Sequence, residues 1–292
     1  MEDKFDFKSA FQRCLGWVTE DDLQLFRNTV VAIPGMGGAG GHHLHTLLRM
    51  GFSRFKIADP DHFELSNFNR QFGSSCSTIG KKKVEVLKNI ALDINPTVEI
   101  ETFDEGVNDY NLNDFLKGVD AVVDGIDLYA MDIRCKIARL AHTRSIPFIT
   151  AAPIGMGTSF ISFHPNKMSF DDYFDLNHDN LTVEAKIIRF LAGLTPKKLQ
   201  AKYIVDPRSV KLFDGVLPSI HPGCLSASAA MAAQLAKIIS NRGNVYFAPY
   251  SQQFDFFLNR SVLVKRRFGN RGLSQKALIK ALHYMFKVQE FS

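Results

Sequence analysis

One stretch, Val30 to Leu48 (VVAIPGMGGAGGHHLHTLL), constrains this chain more than any other. A β-branched apolar run stops at Pro34, a glycine cluster follows, and Leu44, Leu47 and Leu48 then recur at helical spacing. The order is strand, tight turn, helix. Gly35, Gly37 and Gly40 fit G-x-G-x-x-G, and each glycine answers a steric need. One permits the turn, one lets the backbone approach a phosphate, and one lets the helix close on the strand. The free N–H groups and positive dipole end of such a helix face an anion, and a nucleotide phosphate is the natural occupant.

The glycine pattern alone also recurs in ordinary loops. Its context sharpens it: Asp59 lies nineteen residues beyond Gly40, at the end of a second apolar run from Phe55 to Ala58. That is where an acid holding ribose hydroxyls belongs in a dinucleotide-type fold. The stretch therefore reads as a nucleotide site, with the nucleotide and the chemistry still open.

A chain of 292 residues buries a large core, and one large α/β domain with an appendage is the expected count. With 46% hydrophobic and 22% charged residues, disorder is excluded as the main state. The formal charge of +5 is modest and shows no clustered stripes, so no nucleic-acid partner is expected. Cys14, Cys76, Cys135 and Cys224 are scattered without a C-x-x-C pair, so neither a zinc ribbon nor disulfides are expected. A polar N-terminus, MEDKFDFKSA, and no run of about 18 apolar residues argue against a signal peptide and a membrane span. A reducing cytoplasm is the expected setting.

Residues 1–28 read as a helical segment with Phe5, Phe11, Leu15, Leu23 and Phe26 as apolar positions. Thr19, followed by Glu20, Asp21 and Asp22, is a helix start. The spacing then predicts strand 29–34, helix 39–50, strand 54–58, a loop rich in Ser and Asn, helix 79–93 and strand 97–103. A short helix near 111–117, strand 119–123, helix 128–144 and strand 146–151 follow. Such alternation predicts an α/β fold: a Rossmann-like, mostly parallel sheet with helices on both faces and ligands at the carboxyl ends of its strands.

The character changes after Pro153. A strand near Gly157–Phe163, a polar and aromatic loop from His164 and helical stretches around 183–203 lead to a small-residue buried helix from about Pro222. Alternating strands over 245–267 and a basic amphipathic helix close the chain. The expected organisation is an N-terminal helical segment (1–28), a nucleotide-binding core (29–163) and a remainder (164–292). The crossover loop, helices and antiparallel strands of that remainder complete the same domain.

Four further motifs could carry chemistry. Asp59 to Phe72, DPDHFELSNFNRQF, is too polar for a strand and has no helical stripe. It reads as a solvated loop or as a ligand loop offering Asp59, Asp61, Asn67, Asn69 and Arg70, whose planar fork suits phosphate. Gly80 to Lys83, GKKK, starts a helix and by itself reads as a solvated basic turn. Asp124-Gly-Ile-Asp127 follows an apolar strand, where a carboxylate serves as a magnesium ligand or as an N-cap. Asp124 reads as the N-cap and Asp127 as either.

Other conspicuous residues have plainer readings. His42 and His45 share a helical face, but no third zinc ligand is in view. Cys224 reads as a buried hydrophobe, Phe68 and Phe72 as packing for their loop, and Lys265, Arg266 and Arg267 as a solvated strand end.

In this order the motifs GMGGAGG, D-x-D with SNFNRQ, G-x-x-K and D-x-x-D resemble the ThiF/MoeB/HesA superfamily, the adenylating domain shared with ubiquitin-activating enzymes. The match runs from about residue 10 to 163, and GVLPS before the small-residue helix extends it to about 240. The resemblance implies that Gly35, Gly37 and Gly38 pass under the ATP phosphates and that Asp59 holds the ribose. It implies further that Asn67, Asn69 and Arg70 contact the phosphates, that Lys83 neutralises them and that Asp127 holds magnesium. In such proteins a second arginine comes from the N-terminal helix of a dimer partner, and Arg13 is the candidate here.

The reaction so implied joins a carboxylate, the C-terminus of a peptide or of a small ubiquitin-like or sulfur-carrier protein, to the α-phosphate of ATP. Both reactants are anions, so Arg70, Lys83, Arg13 and magnesium form a fitting set, and an ionised carboxylate needs no general base. The chain departs from the family pattern at Leu128, where Asn is common, in lacking the zinc cysteines, and in a cysteine-free loop from His164 to Asn180. Zinc and thioester transfer are therefore not expected. Two rivals remain at this stage: an NAD-dependent oxidoreductase, which the glycine turn and Asp59 also fit, and a non-catalytic nucleotide-binding relative.

Overall fold

From Val30 onward, apolar runs that alternate with amphipathic stretches form strands and helices in a computed structural model that describes residues 5–195, 197–215 and 217–291. The first four residues of the polar N-terminus and Val216 of GVLPS lie outside the described residues. The chain divides into two units: Met1–Ile126 with Ser228–Val245, and Asp127–Ala227 with Tyr246–Ser292.

The first unit contains α1 (Phe7–Phe11), α2 (Glu20–Asn28), β1 (Val30–Pro34), α3 (Gly38–Arg49), β2 (Arg54–Ala58), α4 (Lys83–Ile94), β3 (Glu99–Phe103), α5 (Leu112–Phe115) and β4 (Ala121–Asp124). Thr19 opens α2 as expected. Its hydroxyl accepts the Asp22 N–H at 3.0 Å while the Asp22 carboxylate accepts the Thr19 N–H at 2.8 Å, a reciprocal cap. The strands lie in the order β3-β2-β1-β4 and every pair is parallel, with Val30 opposite Arg54 and Val31 opposite Ala121. This is the Rossmann-like sheet the alternation predicted. Val31, Ala32, Ile33, Ile57, Val122 and Val123 are buried in it, and Leu44, Leu47 and Leu48 bury the apolar stripe of α3. Continuous burial of a strand on both faces is what removes the polar alternation from these segments.

Helix α4 begins at Lys83 rather than at residue 79, because residues 74–81 form turns in which Gly80 takes a positive φ of 78°. At the amino ends of the strands, Arg54, Lys56, Lys88, Glu99 and Glu101 line a shallow groove. Its charges pair with each other, Arg54 with Glu99 and Lys56 with Glu101, and it lies at the end of the sheet where ligands do not bind such folds.

The second unit contains α6 (Met131–Thr143), β5 (Phe148–Ile154), β6 (Gly157–Phe163), α7 (Phe170–Phe174), α8 (Val183–Leu194), α9 (His221–Ser240), β7 (Tyr250–Asp255), β8 (Arg260–Lys265) and α10 (Leu273–Phe286), although α9 runs on into the first unit from Ser228. Strands β5, β6, β7 and β8 are antiparallel neighbours in that order. Antiparallel pairing starts one hairpin earlier than the C-terminal strands, since only Gly155 and Met156 separate β5 from β6, too few for a parallel crossover.

Aromatic side chains fill this unit. Phe163, Phe170, Tyr173, Phe174 and Phe190 are all buried, with Phe170 and Phe174 centroids 4.7 Å apart. The helical stretch expected over 183–203 stops at Leu194, and a 3-10 turn covers Leu199–Lys202; Thr195 precedes a proline, which pushes it out of helical geometry. Helix α9 is the small-residue helix expected from about Pro222; by length and composition it is apolar enough to cross a membrane, a test that a core helix also passes, and half of that window is buried. Cys224 is fully buried, as its small-residue surroundings suggested. Arg266 is not a solvated strand end. Burial pushes its guanidinium pKa down, and its Nε and Nη1 are buried.

Candidate active site

Strand β1 ends at Pro34 and the chain turns at Gly35, whose φ of 88° favours glycine. The Gly35 N–H donates to the Ala58 carbonyl at 2.7 Å, and the Gly125 N–H donates to the Pro34 carbonyl at 3.0 Å. Three segments of backbone therefore meet at van der Waals distance. A Cβ on Gly40 would sit 1.7 Å from the Gly35 carbonyl oxygen, and one on Gly35 would sit 2.2 Å from that of Gly125. Gly37 differs. The nearest atom to a Cβ there is Gln71 Nε2 at 3.8 Å, so packing does not require glycine at that position. Its open side leaves room for a group from outside the chain, and α3 begins beside it at Gly38 with no side chain capping its N-terminus.

The acid at the end of β2 is tied directly to this turn. Asp59 Oδ2 accepts the Met36 N–H at 2.6 Å, and Oδ1 accepts the Asp61 N–H at 2.9 Å. Burial pushes the Asp59 carboxyl up from its ordinary value, against the pull of the Lys83 ammonium and of the two amide donors. Lys83, the first residue of α4, places Nζ 2.8 Å from Asp61 Oδ2 and 3.8 Å from Asp59 Oδ1. GKKK is thus not a solvated turn at its last position: the Lys83 side chain is 6% exposed, Asp59 7% and Asp61 65%.

The loop between them is built rather than free. Asn67 ends a 3-10 turn and is buried, its Oδ1 accepting the Glu64 N–H at 3.0 Å. Arg70 Nη1 donates to the Ser66 carbonyl at 2.9 Å and to Asn69 Oδ1 at 3.0 Å, while the Arg70 carbonyl lies 3.0 Å from His42 Nε2. Phe63 is the buried anchor of the loop and Phe72 stacks on His45 with centroids 4.2 Å apart, but Phe68 is 37% exposed and does not pack it down. His43 bonds Ser228 at 2.7 Å, so the three histidines point to three different partners. No cluster of three metal-ligating side chains occurs among the described residues.

Asp124 Oδ1 accepts the Ile126 N–H at 3.1 Å, a local turn contact. It does not cap α6, whose N-cap is Ala130 without a side-chain bond. Asp127, at the start of the second unit, is exposed and its Oδ1 accepts the Tyr129 N–H at 2.9 Å. Arg13 is exposed on the 3-10 turn Gln12–Cys14, and no hydrogen bond joins it to Asp59, Lys83 or Arg70 among the described residues. The structure thus links Met36, Asp59, Asp61 and Lys83 into one network at the carboxyl end of the parallel sheet. Asp61 is the member whose partner the sequence did not reveal; its only signal was the D-x-D spacing.

A model of the ThiF family matches residues 11–271. The chain belongs to the ThiF family. Among its ThiF-type relatives, a tRNA threonylcarbamoyladenosine dehydratase of Haemophilus influenzae is 31% identical over 73% of this chain and 78% of its own length. A molybdopterin-synthase adenylyltransferase of the same organism is 27% identical over 60% and 72%. The chain spans about half, 52%, of the Bacillus subtilis dehydratase it matches. In fold it resembles Escherichia coli MccB, solved with AMPCPP and MccA, at a TM-score of 0.61 and 20% identity, over 85% of this chain and 66% of that one.

Proposed function

We propose that this ThiF-family chain is an adenylyltransferase that activates a carboxylate with ATP. The observation that carries the reading is the network at the glycine turn: an open approach at Gly37, an acid on the turn's own amide, and a lysine at the start of the next helix. The ribose would sit on Asp59 and the phosphates over Gly35, Gly37 and Gly38, with Asn67, Asn69 and Arg70 at their edge. ATP is supported by relatives named as adenylyltransferases, and the fold resembles a protein solved with an ATP analogue.

In the reaction, a carboxylate oxygen forms a bond to the α-phosphorus while the bond from that phosphorus to the bridging oxygen of the β-phosphate breaks, and pyrophosphate leaves with the electron pair. The obstacle is repulsion between anions. Arg70 and Lys83 counter it by fixed positive charge, which acts most strongly where water is excluded. Magnesium, when bound, would add further neutralisation. Asp127 suits it as an exposed carboxylate with one oxygen committed to the Tyr129 amide and the other free of that bond. Leu128 supplies no polar contact beside it.

The substrate class we favour is the C-terminal carboxylate of a peptide or small protein, because the neighbour MccB is solved together with MccA and another relative is named for molybdopterin synthase. The segment from His164 to Asn180, expected as a loop but holding the short helix α7, carries no cysteine, so the product would be the acyl adenylate rather than a thioester on that segment. A homodimer with Arg13 reaching the partner's site, and a cytoplasmic setting, belong to the same proposal. An NAD-dependent oxidoreductase has no use for the Lys83–Asp61 arrangement, and no observation favours it.

Pyrophosphate exchange into ATP, driven by candidate carboxyl-terminal peptides, tests the reading. Arg70→Ala and Lys83→Ala should each lower exchange by about 100-fold or more, the usual cost of removing one charge-stabilising donor. Full exchange in both variants would refute these assignments. Mg-ATP binding without exchange for any carboxylate would point to a relative that kept the site and lost turnover.

A further inference from the structure

The Lys83 ammonium, which the proposed function assigns to the phosphates, is held 2.8 Å from the Asp61 carboxylate. We infer that Asp61 is a positioning residue for nucleotide entry: its carboxylate holds the Lys83 ammonium while no phosphate is present and gives it up to the incoming triphosphate. This rests on the nucleotide reading of the glycine turn.

The argument lies in an asymmetry between the two partners. Lys83 is 6% exposed and anchored in the first turn of a 12-residue helix, so its ammonium needs a counterion whether or not a nucleotide is bound, and without one the protein must supply it. Asp59 is a poor sole counterion, since it stands 3.8 Å away and both of its oxygens already take amide protons. Asp61 is the close partner at 2.8 Å, yet 65% of its side chain faces water. An exposed carboxylate loses little on returning to solvent.

The backbone of Asp61 is pinned on both sides of that carboxylate. Its N–H donates to Asp59 Oδ1 at 2.9 Å, and its carbonyl accepts the Lys83 N–H at 3.0 Å. The side chain can therefore swing out by rotation about its own bonds while the loop and α4 stay in place. In the free protein Asp61 compensates a buried charge. In the loaded protein it is a surplus negative charge near the phosphates. When pyrophosphate departs, recapture of Lys83 by Asp61 favours release of what remains.

The test uses the full-length protein with ATP as the probe, by calorimetry with magnesium and again with EDTA, and a melt of the nucleotide-free protein. Asp61→Asn should lower the Kd for ATP by about three- to tenfold in both conditions, the scale expected for removing one nearby charge at the edge of a site. The same variant should melt earlier than wild type without nucleotide. In pyrophosphate exchange its KM for ATP should fall together with its kcat, as product leaves more slowly. Asp61→Glu should behave as wild type, and the gain in affinity should vanish in a Lys83→Met background. If Asp61→Asn does not accumulate folded, Asp61→Ser serves instead, keeping an oxygen for the ammonium without the charge.

Weaker ATP binding only with magnesium would make Asp61 a metal ligand and overturn the inference. Weaker or unchanged binding in both conditions would overturn it as well. Failure of the wild-type protein to bind ATP would refute the nucleotide reading itself and the inference with it, and is seen before any variant is compared.

Discussion

His43 sits fully buried on α3 with Nδ1 2.7 Å from Ser228 Oγ, and burial beside His42 pushes its pKa down to about 3. In the unfolded chain the same ring protonates near 6.5. Between those values the unfolded state binds a proton that the native state refuses, so stability falls as pH drops from about 6.5 toward 3. The slope is at most about 1.4 kcal/mol per pH unit. Denaturant titrations at pH 7 and pH 5 should show wild type losing about 2 kcal/mol more than His43→Gln over that interval. Equal losses would mean that the ring is protonated in the native protein. At this scale the sequence was only partly legible. It placed His42 and His45 on one helical face without a third ligand, but His43's partner lies 185 residues further along the chain, beyond any local pattern. Lys83 was singled out by the family resemblance, but its burial was not legible from its own segment for the same kind of reason: composition cannot distinguish a lysine in a basic run that faces water from one that turns inward to a carboxylate.

The element that organises the first unit, strand β1 with its glycine turn and α3, was legible almost residue for residue because steric need selects glycine and periodicity selects the rest. The structure separates two kinds of glycine within it. Gly40→Ala forces a Cβ to within 1.7 Å of the Gly35 carbonyl, so the helix must back away from the strand. A loss of about 3 kcal/mol or more is expected, because backbone rather than a flexible side chain has to move. Gly37→Ala meets nothing closer than 3.8 Å and should change stability by no more than about 1 kcal/mol. Its methyl group instead projects into the open approach, so ATP binding should fall while the melting temperature holds. A thermal melt paired with an ATP titration separates the two. If Gly37→Ala binds ATP normally, the approach beside α3 is not the phosphate site. The hairpin of β5 and β6 was less legible. Strand β6 is buried along its whole length and β5 over Phe148–Ala151, so neither shows a polar alternation there, and only the length of the intervening turn tells parallel from antiparallel.

At the scale of the whole molecule the open question is whether one copy of the chain makes a complete site. Arg13 lies on an exposed turn without a bond to Asp59, Lys83 or Arg70 among the described residues, and Trp17, four residues on, is 88% exposed. A large aromatic left in water beside an arginine is the composition of an interface centre rather than of ordinary surface. If Arg13 serves a partner's site, each intact site needs Arg70 from one subunit and Arg13 from the other. Arg13→Ala and Arg70→Ala homodimers would then both be inactive, while a heterodimer would keep one intact site of its two. Equal mixing gives heterodimers in about half the population, so pyrophosphate exchange should recover to about a quarter of the wild-type value. Trp17 is the only tryptophan in the chain, so its emission should shift to longer wavelength as dimers dissociate on dilution. Recovery near zero in confirmed heterodimers would place Arg13 in the site of its own subunit rather than the partner's, because a residue acting within its own subunit leaves both sites of every heterodimer one arginine short.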